Sequence, residues 1–304
     1  MHGVTSNAEK GYTLLQRIRD DFPGVKTYAL TSFEDNKSVL ELKIQVQGLA
    51  IELMQYVKQA GADEITLIGY SQGGLISRFL VEELNDNGLV HTLISLAAPQ
   101  SGQYGAGTFD KHIHDLLYLI LGQEKTTMLL SLLGGATGLF DTLCSNEISI
   151  DVKIRDLHAM KINNLDQMLS VCTYWRNPLK LMSTRKNNSN YFSTMNNENI
   201  QTANKRYKTN FANLNKLVLV GGPNDGAITP WHSTQFGYFK EGSLNEVETM
   251  RETKMFTEDS FGLRTLDEKG AIVMCSAYTN HTMVVEDSDT YERCIKPYIG
   301  VGFY

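Results

Sequence analysis

The residues Gly69-Tyr70-Ser71-Gln72-Gly73-Gly74 place a serine between glycines directly after a short apolar run at 65–68. The spacing G-x-S-x-G is typical of a nucleophile elbow, a sharp strand-to-helix turn that exposes one hydroxyl above a sheet. The same glycines also permit an ordinary tight crossover, because glycine accepts positive φ and close backbone approach. Ser71 is therefore a candidate nucleophile, and its role depends on which partners the chain provides.

A serine hydroxyl is a poor nucleophile at neutral pH, so Ser71 needs an imidazole to take its proton and an acid to orient that imidazole. In folds that carry such an elbow, the acid and then the histidine follow the serine, each on a loop after a strand. Among the later histidines, only His281 comes just after a late apolar segment, at 271–274. Asp225 follows the apolar run 217–220 in a stretch too rich in glycine and proline for a helix. We predict Asp225 as the acid and His281 as the base; the alternatives are a simple Asn-Asp-Gly turn and a solvated surface histidine.

The oxyanion of such a reaction needs two backbone N–H donors. Gln72, the residue after the nucleophile, supplies one, and the H-G-x form of His2-Gly3-Val4 is typical of the loop that supplies the other, the Val4 amide. That loop should follow a strand, yet the sequence opens abruptly at Met1. We expect the strand before His2 to be absent from this chain, which would begin inside a longer precursor or a shortened gene model.

The bulk composition excludes several classes of function. The 304 residues are 42% hydrophobic, enough for one large α/β domain with an insertion or for two smaller domains. A net charge of −6 argues against a nucleic-acid partner, and no run reaches the roughly 18 uninterrupted apolar residues of a transmembrane helix. We expect a soluble chain with no metal and no cofactor. The four cysteines fit either scattered thiols or two disulfides.

The chain alternates between helix-period and short apolar segments up to about residue 100, which is typical of βαβ units in a parallel sheet. This pattern predicts helices at 8–22 and 39–60 and strands at 27–31, 65–68 and 89–97. Helical apolar stripes and an Asn/Ser/Lys-rich stretch interrupt it between about 105 and 205. We predict one α/β domain over 1–304, with a mostly parallel central sheet, helices on both faces and an inserted helical cap at about 105–205.

Six blocks occur in order along most of the chain: GYSQGGL (69–75), SLAAPQSGQYG (95–105), CTYWRNP (172–178), LVLVGGPNDGAITPWHSTQFGYF (217–239), DSFGLRTLDEKGAIVMC (259–275) and HTMVVEDSDTYERCIKPYI (281–299). Together they resemble the palmitoyl-protein thioesterase family of α/β hydrolases. The segments GGPNDGAITPW, GAIVMC and YERCIKP look closer to its second lysosomal type, an acyl thioesterase that prefers acyl-CoA. By this resemblance the family's nucleophile, acid and base fall on Ser71, Asp225 and His281, and its oxyanion amides on Val4 and Gln72.

The resemblance implies a serine hydrolase that cleaves long-chain fatty-acyl thioesters to free fatty acid and thiol. The substrate would be palmitoyl-CoA, or an S-palmitoylated protein or peptide. It also implies two disulfides, Cys275 with Cys294 and Cys144 with Cys172. Two disulfides indicate an oxidising compartment, the lysosome or the exterior of the cell. Asn36 (N-K-S) and Asn187 (N-N-S) are then candidate glycan sites, while Asn280 (N-H-T) adjoins the predicted base and is expected to carry no glycan.

An acyl chain needs an apolar groove. The predicted cap offers candidates for it in Leu116, Leu117, Ile120, Leu129, Leu130, Leu132, Leu133 and Phe140. Packing of the cap onto the body explains any one of them equally well. Two other functions stay open at this point: a carboxylester hydrolase or lipase that uses the same triad on oxygen esters, and a catalytically inactive lipid-binding protein on the same scaffold.

Overall fold

The computed structural model describes residues 1–105, 118, 122–133, 135–144, 150–152, 160–162, 169–180, 191–199 and 201–300. Its strands are β1 (Ile65–Tyr70), β2 (Val90–Leu96), β3 (Ile150–Val152), β4 (Met160–Ile162), β5 (Lys216–Gly221), β6 (Tyr238–Phe239), β7 (Val247–Glu248) and β8 (Ile272–Ser276). The central sheet has the strand order β1-β2-β5-β8, and each neighbouring pair in it is parallel. The pairs β3–β4 and β6–β7 are separate antiparallel ribbons.

Helices connect and cover these strands. The α-helices are α1 (Tyr12–Asp21), α2 (Leu42–Ala60), α3 (Gln72–Leu84), α4 (Gln123–Leu132), α5 (Ala136–Cys144), α6 (Ser170–Tyr174), α7 (Tyr191–Met195), α8 (Lys205–Ala212), α9 (Lys254–Thr257), α10 (Leu263–Glu268) and α11 (Ser288–Thr290). Short 3₁₀ turns span Ala8–Gly11, Asp35–Val39, Asn85–Asn87, Trp231–Gln235, Met250–Glu252 and Lys296–Tyr298, and a π turn spans Tyr291–Ile295.

Both faces of the central sheet are buried, as a parallel sheet with helical crossovers requires. Leu93 and Leu217, which are neighbours in register, pack into an apolar core that includes α2 and α3. The next register pair, Ile94 and Val218, packs into a second core with α1 and the C-terminal helical turns. The predicted α/β fold, a parallel sheet with helices on both faces, is confirmed.

Most predicted elements of the body are also confirmed, with shifted ends. The helix predicted at 8–22 is a 3₁₀ turn followed by α1, and the one predicted at 39–60 begins at Leu42. Gly61 ends α2 with a φ of 63°, the left-handed conformation that favours glycine after a helix. The strands predicted at 65–68 and 89–97 correspond to β1 and β2, and the apolar segments at 217–220 and 271–274 form β5 and β8.

The predicted strand at 27–31 is wrong, because these residues form no strand. A strand needs a neighbouring backbone that satisfies its N–H and C=O groups. Residues 27–30 instead line a cleft of about 740 Å³, which residues 64–68 line as well. Within the described residues, β1 is the edge strand of the central sheet on this side.

The chain between β2 and α8 carries α4 to α7 and the β3–β4 ribbon. Leu139 and Leu143 of α5, and Val171 of α6, are buried in the same apolar core as α2 and α3. Helices α5 and α6 therefore pack directly on the body of the domain. The apolar stripe predicted at 113–120 lies outside the described residues, apart from Tyr118.

Two disulfides close this architecture. The bond between Cys144 and Cys172 joins α5 to α6, and the bond between Cys275 and Cys294 joins β8 to the π turn that follows α11. Both pairings are those that the sequence resemblance implied. Each disulfide closes a loop of the chain and thereby reduces the number of conformations that the unfolded chain can adopt.

Among the helices described, none is by itself long and apolar enough to cross a bilayer. One bent pair, Thr126–Leu132 with Ala136–Cys144, meets the same test by length and composition only, with an angle of 99° between its two parts.

A buried arginine–glutamate pair lies on α3, the helix that follows the candidate nucleophile. Nη1 of Arg78 donates to Oε1 of Glu82 at 3.0 Å, and neither side chain is exposed. The guanidinium carbon lies 4.6 Å and 4.9 Å from the ring centres of Phe79 and Phe261. Burial raises the pKa of Glu82 to about 8, although the charge of Arg78 opposes that rise. The folded protein therefore holds a proton on Glu82 at pH values at which the unfolded chain has released it.

We predict that wild type loses stability relative to Glu82→Gln as the pH rises from 5 to 8. Between the ordinary pKa of 4.5 and the folded value of about 8, the folded state binds one more proton than the unfolded state. Each pH unit in that window then lowers the free energy of unfolding, by at most roughly 1 kcal/mol. A glutamine does not titrate, so the variant lacks this contribution.

Urea denaturation of both proteins at several pH values, with disulfides intact, measures this difference. Glu268→Gln, at an exposed position on α10, serves as the control and should leave the wild-type profile unchanged. Parallel profiles for wild type and Glu82→Gln would contradict the raised pKa.

Candidate active site

Ser71 occupies the turn between β1 and α3, where its backbone has φ 54° and ψ −130°. A positive φ is uncommon for a residue with a side chain, and it stores strain that the surrounding structure must offset. The Ser71 N–H donates to the carbonyl oxygen of Leu96 in β2 at 2.8 Å, and the Ser71 carbonyl accepts from the Gly74 N–H at 2.9 Å. The turn therefore has the strained strand-to-helix geometry of a nucleophile elbow.

The glycines around Ser71 are required because a side chain at these positions would collide with neighbouring atoms. A Cβ on Gly69 would collide with the carbonyl oxygen of Gly73 and with Oγ of Ser77. A Cβ on Gly73 would collide with the carbonyl oxygen of His2. The G-x-S-x-G spacing thus reflects how closely the start of α3 packs against β1 and against the N-terminal loop.

Three predicted residues meet beside this turn. Nε2 of His281 lies 2.9 Å from Oγ of Ser71, and Nδ1 of His281 lies 3.0 and 3.1 Å from the two carboxylate oxygens of Asp225. Their side chains are nearly buried, with 8%, 4% and 4% exposure for Ser71, Asp225 and His281. An imidazole held between a carboxylate and a hydroxyl can accept the hydroxyl proton at Nε2 while the carboxylate fixes its tautomer.

The loops that carry Asp225 and His281 are fixed to each other. Oδ1 of Asp225 accepts from the backbone N–H groups of Ala227 at 3.0 Å and Ile228 at 2.7 Å. The backbone N–H of His281 donates to the backbone carbonyl of Asp225 at 2.9 Å. Since Asp225 follows β5 and His281 follows β8, the parallel sheet brings both loops to the edge at which β1 ends.

The aromatic ring of Tyr70 lies against the imidazole of His281, with 5.1 Å between ring centres. Burial raises the pKa of Tyr70 above its usual range, and the charge of Asp225 adds to that rise. The tyrosine hydroxyl therefore stays neutral and forms an uncharged wall beside the imidazole.

The two predicted oxyanion donors lie near Ser71. The Val4 amide is in the loop whose Gly3 approaches the serine so closely that a Cβ on Gly3 would lie 3.0 Å from Cβ of Ser71. Gln72 is the first residue of α3, whose initial N–H groups lack intrahelical acceptors and carry partial positive charge. Within the described part of the chain, neither amide has a hydrogen-bond acceptor, so both N–H groups can bind an oxyanion.

A cavity of about 300 Å³ opens at Ser71 and His281. Its apolar and aromatic lining residues are Val4, Tyr70, Pro99, Phe140, Val171, Tyr174, Trp175, Ala227 and Ile228. The rings of Phe140 and Trp175 lie 5.2 Å apart at this wall. A cavity with apolar walls and a few polar groups at one end suits an acyl group whose carbonyl lies at the polar end.

Of the predicted acyl-groove residues, Phe140 lines this cavity. Leu129, Leu130 and Leu133 are half-buried against the main core, and Leu132 is 71% exposed. The side chains of Leu116, Leu117 and Ile120 lie outside the described residues.

Sequence reasoning missed the residues that hold Gln72 in place. Its side-chain Nε2 donates to the carbonyl oxygen of Ser38 at 2.7 Å, and its Oε1 accepts from the Tyr174 hydroxyl at 3.0 Å. Gln45, on α2, donates to the same Ser38 carbonyl at 2.8 Å. The block CTYWRNP drew attention to Tyr174 and Trp175, but only the tertiary contacts assign them to the elbow and to the cavity wall.

Within the described residues, no group of three His, Cys, Asp or Glu side chains is placed to hold a metal ion.

Comparison with known proteins identifies the family of this chain. The sequence profile described as Palmitoyl protein thioesterase matches residues 1–281. Lysosomal thioesterase PPT2-B of Xenopus laevis is 31% identical over 276 residues, which cover 91% of this chain and 82% of the relative. Lysosomal thioesterase PPT2 of Homo sapiens is 31% identical over 300 residues, covering 98% of this chain and 86% of the relative.

A more distant animal relative extends this likeness. The Lysosomal thioesterase PPT2 homolog of Drosophila melanogaster is 30% identical over 303 residues, covering 98% of this chain and 90% of the relative. With a family profile and these relatives matching it along nearly its whole length, the chain belongs to the palmitoyl protein thioesterase family.

Proposed function

We propose that this chain hydrolyses long-chain fatty-acyl thioesters, with Ser71 as nucleophile, His281 as general base and Asp225 as the acid that orients it. The substrate is palmitoyl-CoA or an S-palmitoylated protein or peptide, and the products are a free fatty acid and a thiol. The observation that carries the proposal is the hydrogen-bonded series from Asp225 through His281 to Ser71, in a member of a thioesterase family.

The reaction proceeds through an acyl-enzyme. His281 Nε2 takes the hydroxyl proton as Ser71 Oγ bonds to the thioester carbonyl carbon, and the tetrahedral intermediate then expels the thiolate as its C–S bond breaks. The imidazolium proton passes to the departing sulfur. A water molecule next gives a proton to His281 while its oxygen attacks the acyl carbon, and the fatty acid leaves as Ser71 recovers its proton.

Stabilisation of the oxyanion is the dominant contribution to this rate. A thiol has a pKa of roughly 8.5, so the thiolate leaves with little help from protonation. The backbone N–H groups of Val4 and Gln72 then supply the main differential binding of the transition state, a contribution of about 3 to 4 kcal/mol for one donor in comparable sites.

The lysosome is the proposed location. Two disulfides are typical of oxidising compartments, and the relatives named above are lysosomal thioesterases by name. The carboxylester hydrolase and the inactive lipid-binding protein are not favoured, because the family is one of thioesterases and the three proposed catalytic side chains are in contact.

We predict that Ser71→Ala lowers kcat on palmitoyl-CoA by roughly 10⁴-fold or more, and that adding His281→Ala lowers it little further. The two groups act as one unit, so losing either removes the activated nucleophile. His232→Ala, which changes a histidine outside the catalytic series, is the control and should retain activity. Full additivity of the two losses would contradict a shared proton-transfer step.

We also predict that kcat/KM for palmitoyl-CoA exceeds that for a glycerol ester of palmitate by at least about tenfold, because an alkoxide leaves far less readily than a thiolate. Ser71→Ala should abolish both activities, which places them at one site. A faster reaction with the oxygen ester would reject the thioesterase assignment. Failure of a fluorophosphonate probe to label Ser71 would revive the inactive lipid-binding protein.

Phe140→Ala should shift activity toward longer acyl chains, raising the ratio of kcat/KM for 16-carbon over 12-carbon acyl-CoA by about fivefold. The truncated side chain enlarges the apolar cavity, and each additional buried methylene contributes about 0.8 kcal/mol. Leu143→Ala is the matched control, since it shortens a buried side chain of the same helix that does not line the cavity. It should lower thermal stability without moving the chain-length ratio. An unchanged ratio in Phe140→Ala would remove Phe140 from the acyl groove.

A further inference from the structure

The loop that carries the Val4 amide contains a strained residue of its own. Thr5 directly follows Val4 and has a φ of 52°, close to the φ of 54° at Ser71. A positive φ is a genuine outlier for a β-branched side chain, and it persists only where the surrounding structure holds it. Each proposed oxyanion donor therefore lies next to a strained residue, since Val4 precedes Thr5 and Gln72 follows Ser71.

The 3₁₀ turn Asp35–Val39 holds this loop in place. Oγ of Ser38 accepts from the backbone N–H of Thr5 at 2.6 Å, and the Asp35 N–H donates to the Ser6 carbonyl at 2.8 Å. The Ser38 hydroxyl donates in turn to the Asp35 carbonyl. Since Ser38 is only 1% exposed, water has little access to this hydroxyl. The strained Thr5 is thus fixed to a buried serine rather than to solvent.

The backbone carbonyl of the same serine holds Gln72. It accepts from Nε2 of Gln72 at 2.7 Å, from Nε2 of Gln45 at 2.8 Å and from Oγ of Ser170 at 3.1 Å. All three donor side chains are buried. A carbonyl oxygen has two lone pairs, so three donors around one oxygen leave it little freedom to move. Gln72 is therefore anchored to the same residue that anchors Thr5.

An oxyanion hole binds the transition state only when its two donors are correctly spaced. Each N–H must lie about 2.7–3.1 Å from the position that the oxyanion takes. Val4 and Gln72 come from distant parts of the sequence, so their spacing depends on contacts between the two segments. Ser38 provides such a contact, because its hydroxyl binds the segment of Val4 and its carbonyl binds Gln72.

We propose that Ser38 is a positioning residue that sets the spacing of the two oxyanion amides. This role rests on the proposed function, in which the N–H groups of Val4 and Gln72 bind the oxyanion. Ser38 is not among the described residues that line the cavity at Ser71, so it acts through these amides and not by contact with substrate. Loss of its hydroxyl should weaken binding of the transition state and leave binding of the acyl chain unchanged.

The test measures two kinds of inhibitor on wild type and on Ser38→Ala. A long-chain alkyl trifluoromethyl ketone adds to Ser71: Oγ bonds to the carbonyl carbon, the hydroxyl proton moves to Nε2 of His281, and the carbonyl oxygen becomes an oxyanion. S-hexadecyl-CoA, a thioether without a carbonyl, binds as the substrate does but forms no oxyanion.

Ser38→Ala should raise Ki for the ketone about 10- to 100-fold and lower kcat by a similar factor, because displaced donors bind the oxyanion less well. Ki for S-hexadecyl-CoA should change by less than about twofold, because the cavity walls are the same.

Ser233→Ala is the matched control. Ser233 is also buried in a 3₁₀ turn, where its hydroxyl accepts from the Ser101 N–H at 3.0 Å and donates to the Gly102 carbonyl at 2.6 Å. Its loss should lower Tm about as much as the loss of the Ser38 hydroxyl, because both leave a buried N–H without its acceptor. Ki for the ketone should stay at the wild-type value.

Gln72→Met is a second variant that tests the other half of the contact, also if Ser38→Ala does not fold. Methionine keeps the backbone N–H at this position but cannot donate to the Ser38 carbonyl. It should raise Ki for the ketone at least about fivefold and leave Ki for S-hexadecyl-CoA unchanged.

Three results would overturn the proposal: an unchanged Ki for the ketone in Ser38→Ala or Gln72→Met, an equal rise in Ser233→Ala, or an equal loss of affinity for S-hexadecyl-CoA. The ketone reports on the oxyanion hole whichever ester is the natural substrate. A preference for oxygen esters would therefore reject the thioesterase activity and leave the role of Ser38 intact, whereas an unchanged Ki with full thioesterase activity would reject only the role of Ser38.

Discussion

The strained backbone of Ser71 is the constraint on which the rest of this site depends. Only a positive φ at the junction of β1 and α3 turns the hydroxyl toward the imidazole of His281, 2.9 Å away. A bulky neighbour would prevent that turn, so glycines surround it. A hydrogen bond from the Ser71 N–H to β2 and one from α3 to the Ser71 carbonyl hold it in place. The sheet and its helices therefore act as a rigid support for one unfavourable dihedral angle.

Gln72 connects this elbow to the segment inserted after β2. Its amide is a proposed oxyanion donor, while its side chain binds Ser38 on one side and Tyr174 on the other. Tyr174 also lines the cavity at Ser71, beside Trp175. The inserted segment thus contributes both to the walls that would hold an acyl chain and to the position of a group that would bind the transition state. This one side chain therefore links the wall of the cavity to the proposed oxyanion donor.

The cavity at Ser71 and the cleft beside β1 meet at the N-terminal loop. Met1 bonds to the edge of β1, and two residues later Gly3 approaches Ser71, with the Val4 amide next in the chain. The Val4 amide, a proposed oxyanion donor, therefore belongs to a loop that also pairs with the edge of β1.

Much of this protein was predictable from local pattern. Apolar runs gave β1, β2, β5 and β8, since a strand buried on both faces must be apolar throughout. The loops after those strands pointed to Ser71, Asp225 and His281, because parallel strands end at one edge. The prediction of a strand at 27–31 was wrong, because strand pairing depends on a neighbouring strand that the local sequence pattern does not reveal. Sequence could not predict the residues that hold Gln72 in place, nor a cavity wall formed by Val171, Trp175 and Ile228. Both bring together side chains that are distant in sequence. Residue type and order determined which groups could do chemistry; the packing of the chain decided which of them meet.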